Sequence, residues 1–390
     1  MPAAPRQAQR STNSSTSSGL LQLPVEILIT TLRLLERQDL ARTALVSTAL
    51  CALAQPILFE SVRLEPSNAS SLIRARGRKL AASTAALLAY HTISLELYEH
   101  EHNRNPASPI SRRRFLLDVL SACANKLLGN LVLNFSSRDE ATEKLWKETV
   151  NLIASTRIRS RRVILLCSSW NVAQAVLLHM AGSLSELHWD GWSDSFRYLP
   201  LPETFSPKHL TALTFRDLSE SFVLSPTFRS LLKTVAPHLR SLALSGLYPI
   251  EADPFWTPAD CGFSHLTYFY CNQLPDALYL AIVKASPKLE EIDVHAMGGL
   301  ASSLLETFPP TWKSFTADLY TQQDSPDTLL TKIKRFRNPQ SFPGIQYVDI
   351  TQEEQPAVLL LKEALIKHFK SLGIEGSTQQ QESVLTWDVW

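Results

Sequence analysis

A chain of 390 residues is long for one compact core and suits two domains or an elongated repeat array. Hydrophobic residues make up 45% and charged residues 19%, with a formal net charge of +1; this is a globular composition without the basic surplus of a nucleic-acid binder. Only 12 glycines are present, which disfavours folds built on Gly-rich phosphate loops, and the odd set of five cysteines holds no C-x-x-C pair, so a reducing compartment is expected rather than a disulfide framework.

Residues 1–19 are rich in Ser, Thr, Ala, Gln and Pro and read as a disordered tail. They contain no apolar signal-peptide core, and no later run approaches the ~18 apolar residues of a membrane span. A soluble nuclear or cytoplasmic protein, with no membrane partner, is expected. At Leu20 the character changes. The segment LLQLPVEILITTLRLLE predicts a helix, with Pro24 at its first position and Ile27, Leu28, Leu32 and Leu35 forming an apolar stripe. A second helix is expected from Asp39, carrying Leu40, Ala44, Leu45, Leu50 and Leu53 and closed by Pro56. So few helices make a poor core alone, so this module needs either the next domain or another chain to pack against.

These residues carry a resemblance. Leu23-Pro24, Glu26-Ile27-Leu28, Asp39-Leu40, Leu45-Val46-Ser47, Leu53-Ala54 and Leu58-Phe59 follow the spaced pattern of the F-box, although Leu50 stands where many members have an aromatic or basic residue. The resemblance spans residues 20–64. It implies docking to the Skp adaptor of Skp–cullin–F-box ubiquitin ligases, through Leu23, Pro24, Ile27, Leu28, Leu45 and Val46.

Residues 65–372 repeat. The pattern L-x-x-L-x-L recurs at Leu184-Leu187-Trp189, Leu210-Leu213-Phe215, Leu239-Leu242-Leu244, Leu266-Phe269-Cys271, Leu289-Ile292-Val294 and Trp312-Phe315-Ala317, and ends at Ile345-Val348-Ile350. Weaker copies stand upstream around Ile93, Leu131 and Val163. The second positions are 93, 131, 163, 187, 213, 242, 269, 292, 315 and 348, and the middle intervals match the ~20–29 residues of leucine-rich repeats. Helix-like segments such as Phe228, Leu231, Leu232 and Val235 intervene, and Pro237, Pro287 and Pro309 close them. The fold class expected is α/β: helical F-box first, then a leucine-rich-repeat-like solenoid with short parallel strands and helices on the convex side. The array resembles the degenerate leucine-rich repeats that follow F-boxes in fungal proteins. A helix within residues 352–372 reads as its C-terminal cap, and residues 373–390 as a tail whose Trp387 and Trp390 either fold back or engage a partner.

Side chains alternate across a strand. If the apolar pair points inward, the open face carries Glu186, His188, Arg216, Tyr268, Tyr270, Glu291, Asp293 and Asp318, with Asp190 and Asp349 beside them. Two readings stand: a carboxylate-rich groove with tyrosine anchors for a basic target segment, or a solvated face with incidental acidity. No phosphate loop, nucleophile elbow, dinucleotide fingerprint or zinc motif occurs, so no catalytic residue, cofactor or metal is expected. His100 and His102 read as an acidic surface loop, and Arg112-Arg113-Arg114 as a solvated helix start. The leading reading is a non-catalytic substrate receptor that joins a target protein to the Skp adaptor and cullin scaffold. A non-ligase interaction scaffold is the alternative, and an enzyme with a dispersed site is the third.

Overall fold

The computed structural model describes residues 22–64, 82–99, 109–135, 140–167, 169–191, 201–202, 205–246, 261–273, 276–296, 313–319 and 347–351. The expected tails, the cap helix, Pro309 and the His100–His102 stretch lie outside them.

Three helices open the chain: α1 (Val25–Arg33), α2 (Arg37–Thr43) and α3 (Thr48–Glu60). Pro24 is the N-cap of α1 rather than its first residue. The single helix expected from Asp39 is two. Ser47 breaks it: its hydroxyl accepts from the Leu50 amide at 3.2 Å and starts α3. Pro56 does not end α3 but lies inside it. An interior proline loses one helical hydrogen bond and crowds the carbonyl one turn back, a local cost that packing of Leu53, Ala54, Ile57 and Leu58 against Leu32 and Leu40 offsets.

α3 passes without a linker into β1 (Ser61–Leu64), the first strand of an eleven-stranded sheet ordered β1 to β11 along the chain. The segment 20–64 expected as the first module thus includes β1. The others are β2 (Ser94–Glu99), β3 (Leu127–Phe135), β4 (Arg159–Leu166), β5 (Glu186–Asp190), β6 (Ala212–Leu218), β7 (Ser241–Gly246), β8 (Tyr268–Asn272), β9 (Glu291–Ala296), β10 (Ser314–Leu319) and β11 (Tyr347–Thr351). Every neighbouring pair is parallel. Helices fill the crossovers: α4 (Ala82–His91), α5 (Pro109–Ala122), α6 (Glu140–Thr156), α7 (Trp170–Met180), the short α8 (Glu220–Val223), α9 (Pro226–Val235) and α10 (Asp276–Lys284). α4 packs on α5, α5 on α6 and α6 on α7. Strands stack about 4.8 Å apart and packed helices about 8–10 Å apart, so such a stack curves with the sheet on its inner side.

The register defines two apolar columns. The first runs Val62, Leu95, Leu131, Val163, Leu187, Leu213, Leu242, Phe269 and Ile292, continuing in backbone register to Phe315 and Val348. The nine as far as Ile292 are at most 6% exposed. The second, two residues on, holds Leu64, Leu97, Leu133, Leu165, Trp189, Phe215, Leu244 and Cys271, equally buried. Two sequence expectations change here. Leu95, not Ile93, sits in the column, and Ile93 is 53% exposed. Val62 adds a unit where the sequence pattern showed none.

A cluster of aromatic rings packs between β4 and β7. Trp170 of α7 and Trp189 of β5 have ring centroids 5.2 Å apart. Phe222 of α8 lies 4.9 Å from Trp170 and 5.1 Å from Trp189, and Phe215 meets Trp189 edge-on at 5.4 Å. The Trp189 indole N–H donates to the Cys167 carbonyl at 3.2 Å, which satisfies its polar atom inside the core. Gly191 passes so close to the Trp189 ring that a Cβ there would collide with it.

Helix ends use two devices. Past α5 and α6 the chain turns through left-handed residues, Asn125 at φ 59° and Arg157 at φ 54°. Later turns use proline, with Pro237 in a one-turn 3-10 helix and Pro287 after α10. The five cysteines are free thiols. Burial pushes the thiol of Cys123 up to about 11 and that of Cys167 up to about 12, so both stay protonated and unreactive.

Candidate functional site

Two surfaces of the described residues merit attention, one at each level of the chain. The first is on the helical module. Leu32, Leu40 and Ala54 form its small core, and Leu28 is also buried at 4% exposure. The remaining apolar side chains have nowhere inside to go. Leu23 is 43% exposed, Val25 46%, Ile27 50%, Leu45 87% and Val46 74%. Leu45 and Val46 sit in the turn that Ser47 creates between α2 and α3, and Pro24 is exposed beside Leu23. Leu34 and Leu35 add 83% and 37%. A soluble surface rarely groups so many large aliphatic residues unless a partner covers them. Among the residues expected to meet an adaptor, Leu28 is the one the structure places inside the module. On the helix it follows Ile27 by one position, about 100° around, and that turns it inward against the module.

A sequence-family comparison decides what this module is: residues 20–57 match the model of the F-box domain. The N-terminal module is an F-box. No curated protein matches the chain. Among solved structures the chain is similar to one from the crystal structure of the Rad7 and Elc1 complex in yeast, at 14% identity and a TM-score of 0.43, covering 92% of this chain and 93% of that one. No described helix is long and apolar enough to cross a membrane.

The F-box is fixed to the sheet. The Glu60 carbonyl at the end of α3 accepts from the Ile93 amide at 2.8 Å, and the Glu60 carboxylate pairs with Arg33 of α1 at 3.2 Å. Phe59 packs into the main core of the sheet, and α3 packs on α4.

The second surface is the sheet face opposite the apolar columns. The middle ladder of this face runs His188, Thr214, Ala243, Tyr270, Asp293, Thr316 and Asp349 across β5 to β11. Glu186, Tyr268 and Glu291 share the row before it, and Asp190 pairs with Arg216 in the row after. On β5 to β8 buried and less buried side chains alternate in the phase expected from the sequence. For Asp318 the strand is described, paired between His295 and Thr351, and its side chain is not.

The electrostatics divide this face in two. Toward β4, Arg162 pairs with Glu186 at 3.4 Å, so a second guanidinium joins Arg216 there. Burial, then Arg216 and Arg162, push the His188 imidazole down to about 4, and it is neutral at pH 7. Burial and the Asp217 carboxylate push Asp190 up to about 6, with Arg216 opposing. Asp217 reaches this position through the β6 bulge, at φ 53°. Toward β9 the face is acidic and aromatic. Burial, then the carboxylates of Asp293 and Glu291, raise the Tyr268 phenol; burial and Asp293 push Tyr270 up to about 12. Both phenols are donors over the whole physiological range. On the described residues no group of His, Cys, Asp and Glu is arranged to hold a metal ion.

His188 and Asp190 give opposite pH dependences. His188 has a folded value below its unfolded 6.5, so the unfolded chain binds more protons between pH 6.5 and 4. Its contribution is full above pH 6.5 and falls away toward pH 4, by an upper bound of about 3 kcal/mol. Asp190 has a folded value above its unfolded 3.8, so the native state binds more protons between pH 3.8 and 6, and its contribution is lost as pH rises through 6. In denaturant titrations, His188→Asn is expected to flatten the loss of stability between pH 6.5 and 4, and Asp190→Asn to relieve a penalty present at pH 7 and absent at pH 4. Parallel pH profiles for wild type and both variants would refute the assignment.

Proposed function

We propose that this chain is a substrate-receptor subunit of a Skp–cullin–F-box ubiquitin ligase. The F-box docks the Skp adaptor, with the cullin scaffold beyond it, and the open face of the repeat sheet holds a target protein. The observation that carries the reading is the group of exposed aliphatic side chains on the matched F-box, Leu23, Val25, Ile27, Leu45 and Val46, with Pro24 among them. Leu28 acts from beneath, as part of the packing that presents this face. The chain works without chemistry of its own: it raises the local concentration of target near a ubiquitin-transfer machine, in the cytoplasm or nucleus. Its organisation under this reading is a tail over residues 1–19, an F-box over 20–64, a solenoid with its C-terminal cap helix over 65–372, and a tail over 373–390.

The test is co-expression with the Skp adaptor and gel filtration. A stable one-to-one complex supports the reading. Failure of the intact, folded chain to form one favours the second reading, a non-ligase interaction scaffold, whose support is the same fused F-box and sheet.

The target side of the proposal is a basic segment lying across β8 and β9. Tyr268 stands in register with Glu291 and Tyr270 with Asp293, so each aromatic ring has a carboxylate on the next strand. A lysine or arginine side chain meets both the ring face and the charge there. Replacing Glu291 and Asp293 together with Lys is expected to weaken binding of the captured target at least tenfold and leave the adaptor complex intact. Unchanged target affinity would sink this assignment and leave the face as solvated polarity.

A further inference from the structure

The start of each strand forms a rim, and this rim is charged. Backbone amides tie the rungs together: Ser185 to the Arg161 carbonyl at 2.7 Å, Thr211 to Ser185 at 2.8 Å, Arg240 to Thr211 at 2.7 Å, Thr267 to Arg240 at 2.9 Å, Glu290 to Thr267 at 2.9 Å and Lys313 to Glu290 at 2.7 Å. These bonds hold successive repeats at the strand spacing of about 4.8 Å. Along that line the exposed side chains are Arg159, Arg161, Lys208, Arg240 and Lys288, followed by Lys313. Histidines 209, 238 and 265 occupy equivalent places, each directly before a buried leucine, and Lys288 continues the row. One carboxylate, Glu290, interrupts the series, and Lys313 pairs with it at 2.7 Å. Arg159, Arg161, Lys208, Arg240 and Lys288 have no ion-pair partner among the described residues.

The fold does not require these cations. At three rungs a hydroxyl does structural work: Ser185, Thr211 and Thr267 each donate to the preceding rung's carbonyl, at 2.9, 3.3 and 3.1 Å. Arg161 and Arg240 occupy the same position and supply charge instead. A single-sign row repels itself, whereas a surface shaped only for solubility mixes signs. In a chain of net charge +1 this segregation is a local feature.

We propose that the strand-start rim from β4 to β10 is a docking surface for an acidic polypeptide segment, separate from the open face of the sheet and independent of whether the F-box binds an adaptor. Six strand steps span roughly 29 Å, which matches about eight or nine residues of extended chain. A carboxylate-bearing peptide fits better than a polyphosphate. Nucleic-acid surfaces rely on a larger basic surplus, and this chain has almost none. Glu291 and Asp293 flank the rim on the adjoining face, where a dense phosphate backbone would meet like charge.

The experiment uses the purified full-length chain and fluorescence anisotropy with two labelled probes, a twelve-residue peptide of alternating Glu and Ser and a twelve-nucleotide oligothymidylate. The variant carries Arg159→Glu, Arg161→Glu, Arg240→Glu and Lys288→Glu. All four side chains are exposed, and an unchanged thermal unfolding curve confirms that the fold is kept. A milder Arg161→Gln, Arg240→Gln pair serves if it is not. The expected result is peptide binding that weakens with added salt, falls at least tenfold in the fourfold variant and about threefold in the milder one, and is unaffected by Glu291→Lys. Equal peptide binding by wild type and variants would overturn the proposal. So would oligothymidylate binding that is tighter than peptide binding and lost in the same variants, which would make the rim a polyphosphate surface.

Discussion

Replacing Leu45 and Val46 with Asp is expected to abolish co-purification with the Skp adaptor, by a factor of at least about 100 in affinity, while the unfolding midpoint stays unchanged. The two side chains are 87% and 74% exposed, so the isolated fold has almost no packing to lose. In a complex each would bury most of its surface, worth about 1.5–3 kcal/mol apiece, and an aspartate there must also be desolvated without a partner. Ile27→Asp, at 50% exposure, should act the same way. Leu32→Asp is the contrast. That residue is 2% exposed in the F-box core, so its loss of adaptor binding comes with a loss of helical structure. Binding and stability are read separately, by gel filtration and circular dichroism. Wild-type binding by the Leu45→Asp, Val46→Asp chain would show that the exposed aliphatic face has another use.

The largest stability effect is expected at Trp189. Trp189→Ala should cost about 3–5 kcal/mol in denaturant titration, because it empties the contact shared by Trp170, Phe215 and Phe222 and leaves the Cys167 carbonyl without its indole donor. Gly191→Ala attacks the same place from the opposite side: the added methyl must displace the ring, since Trp189 is 1% exposed and packed all round. It should lower stability by about 1–3 kcal/mol, as overpacking does. A repeat array transmits such damage locally, so the loss is expected first between β4 and β7, with faster amide exchange there than in β1 and β2. Uniform exchange along the chain, or a cost below 1 kcal/mol for Trp189→Ala, would contradict this packing account.

How far the sequence reveals this arrangement depends on what each residue signals. From Leu187 onward the strand phase is legible because the apolar pair has period 2 and recurs at short intervals, and the side chains expected on the open face share it. The first two units are obscured for particular reasons. Ile93 is as apolar as Leu95 and precedes it by two residues, so alternation cannot choose between them; pairing with Val62 and Leu131 does. Val62 hides behind Ser61 and Arg63, which read as the polar end of a helical module. The early turns carry no proline, and an arginine at positive φ, as at Arg157, gives no advance sign. On the F-box, helical spacing put Ile27 and Leu28 in one stripe. Only the packing of Leu32, Leu40 and Ala54 separates the inward residue from the outward one. The charged rim is written in the sequence as scattered cations near the buried leucines, such as Arg240 after Leu239 and Lys288 before Leu289. Its meaning depends on stacking those positions side by side, which a linear reading does not do.

The direct passage of α3 into β1 turns the molecule into a lever without a hinge. Ten strand steps set a path of roughly 48 Å along the sheet from the first strand to the last. With Glu60 joined to both Arg33 and Ile93, a tilt of about 5° at this junction displaces the far end by roughly 4 Å, comparable to the reach of a side chain. If the F-box is held by an adaptor and a target lies near β9, as proposed, the grip and the target site are joined through this one junction, which sets the bearing at which the target is presented. Two or three glycines inserted between Glu60 and Ser61 would leave both surfaces chemically intact and blur only that bearing.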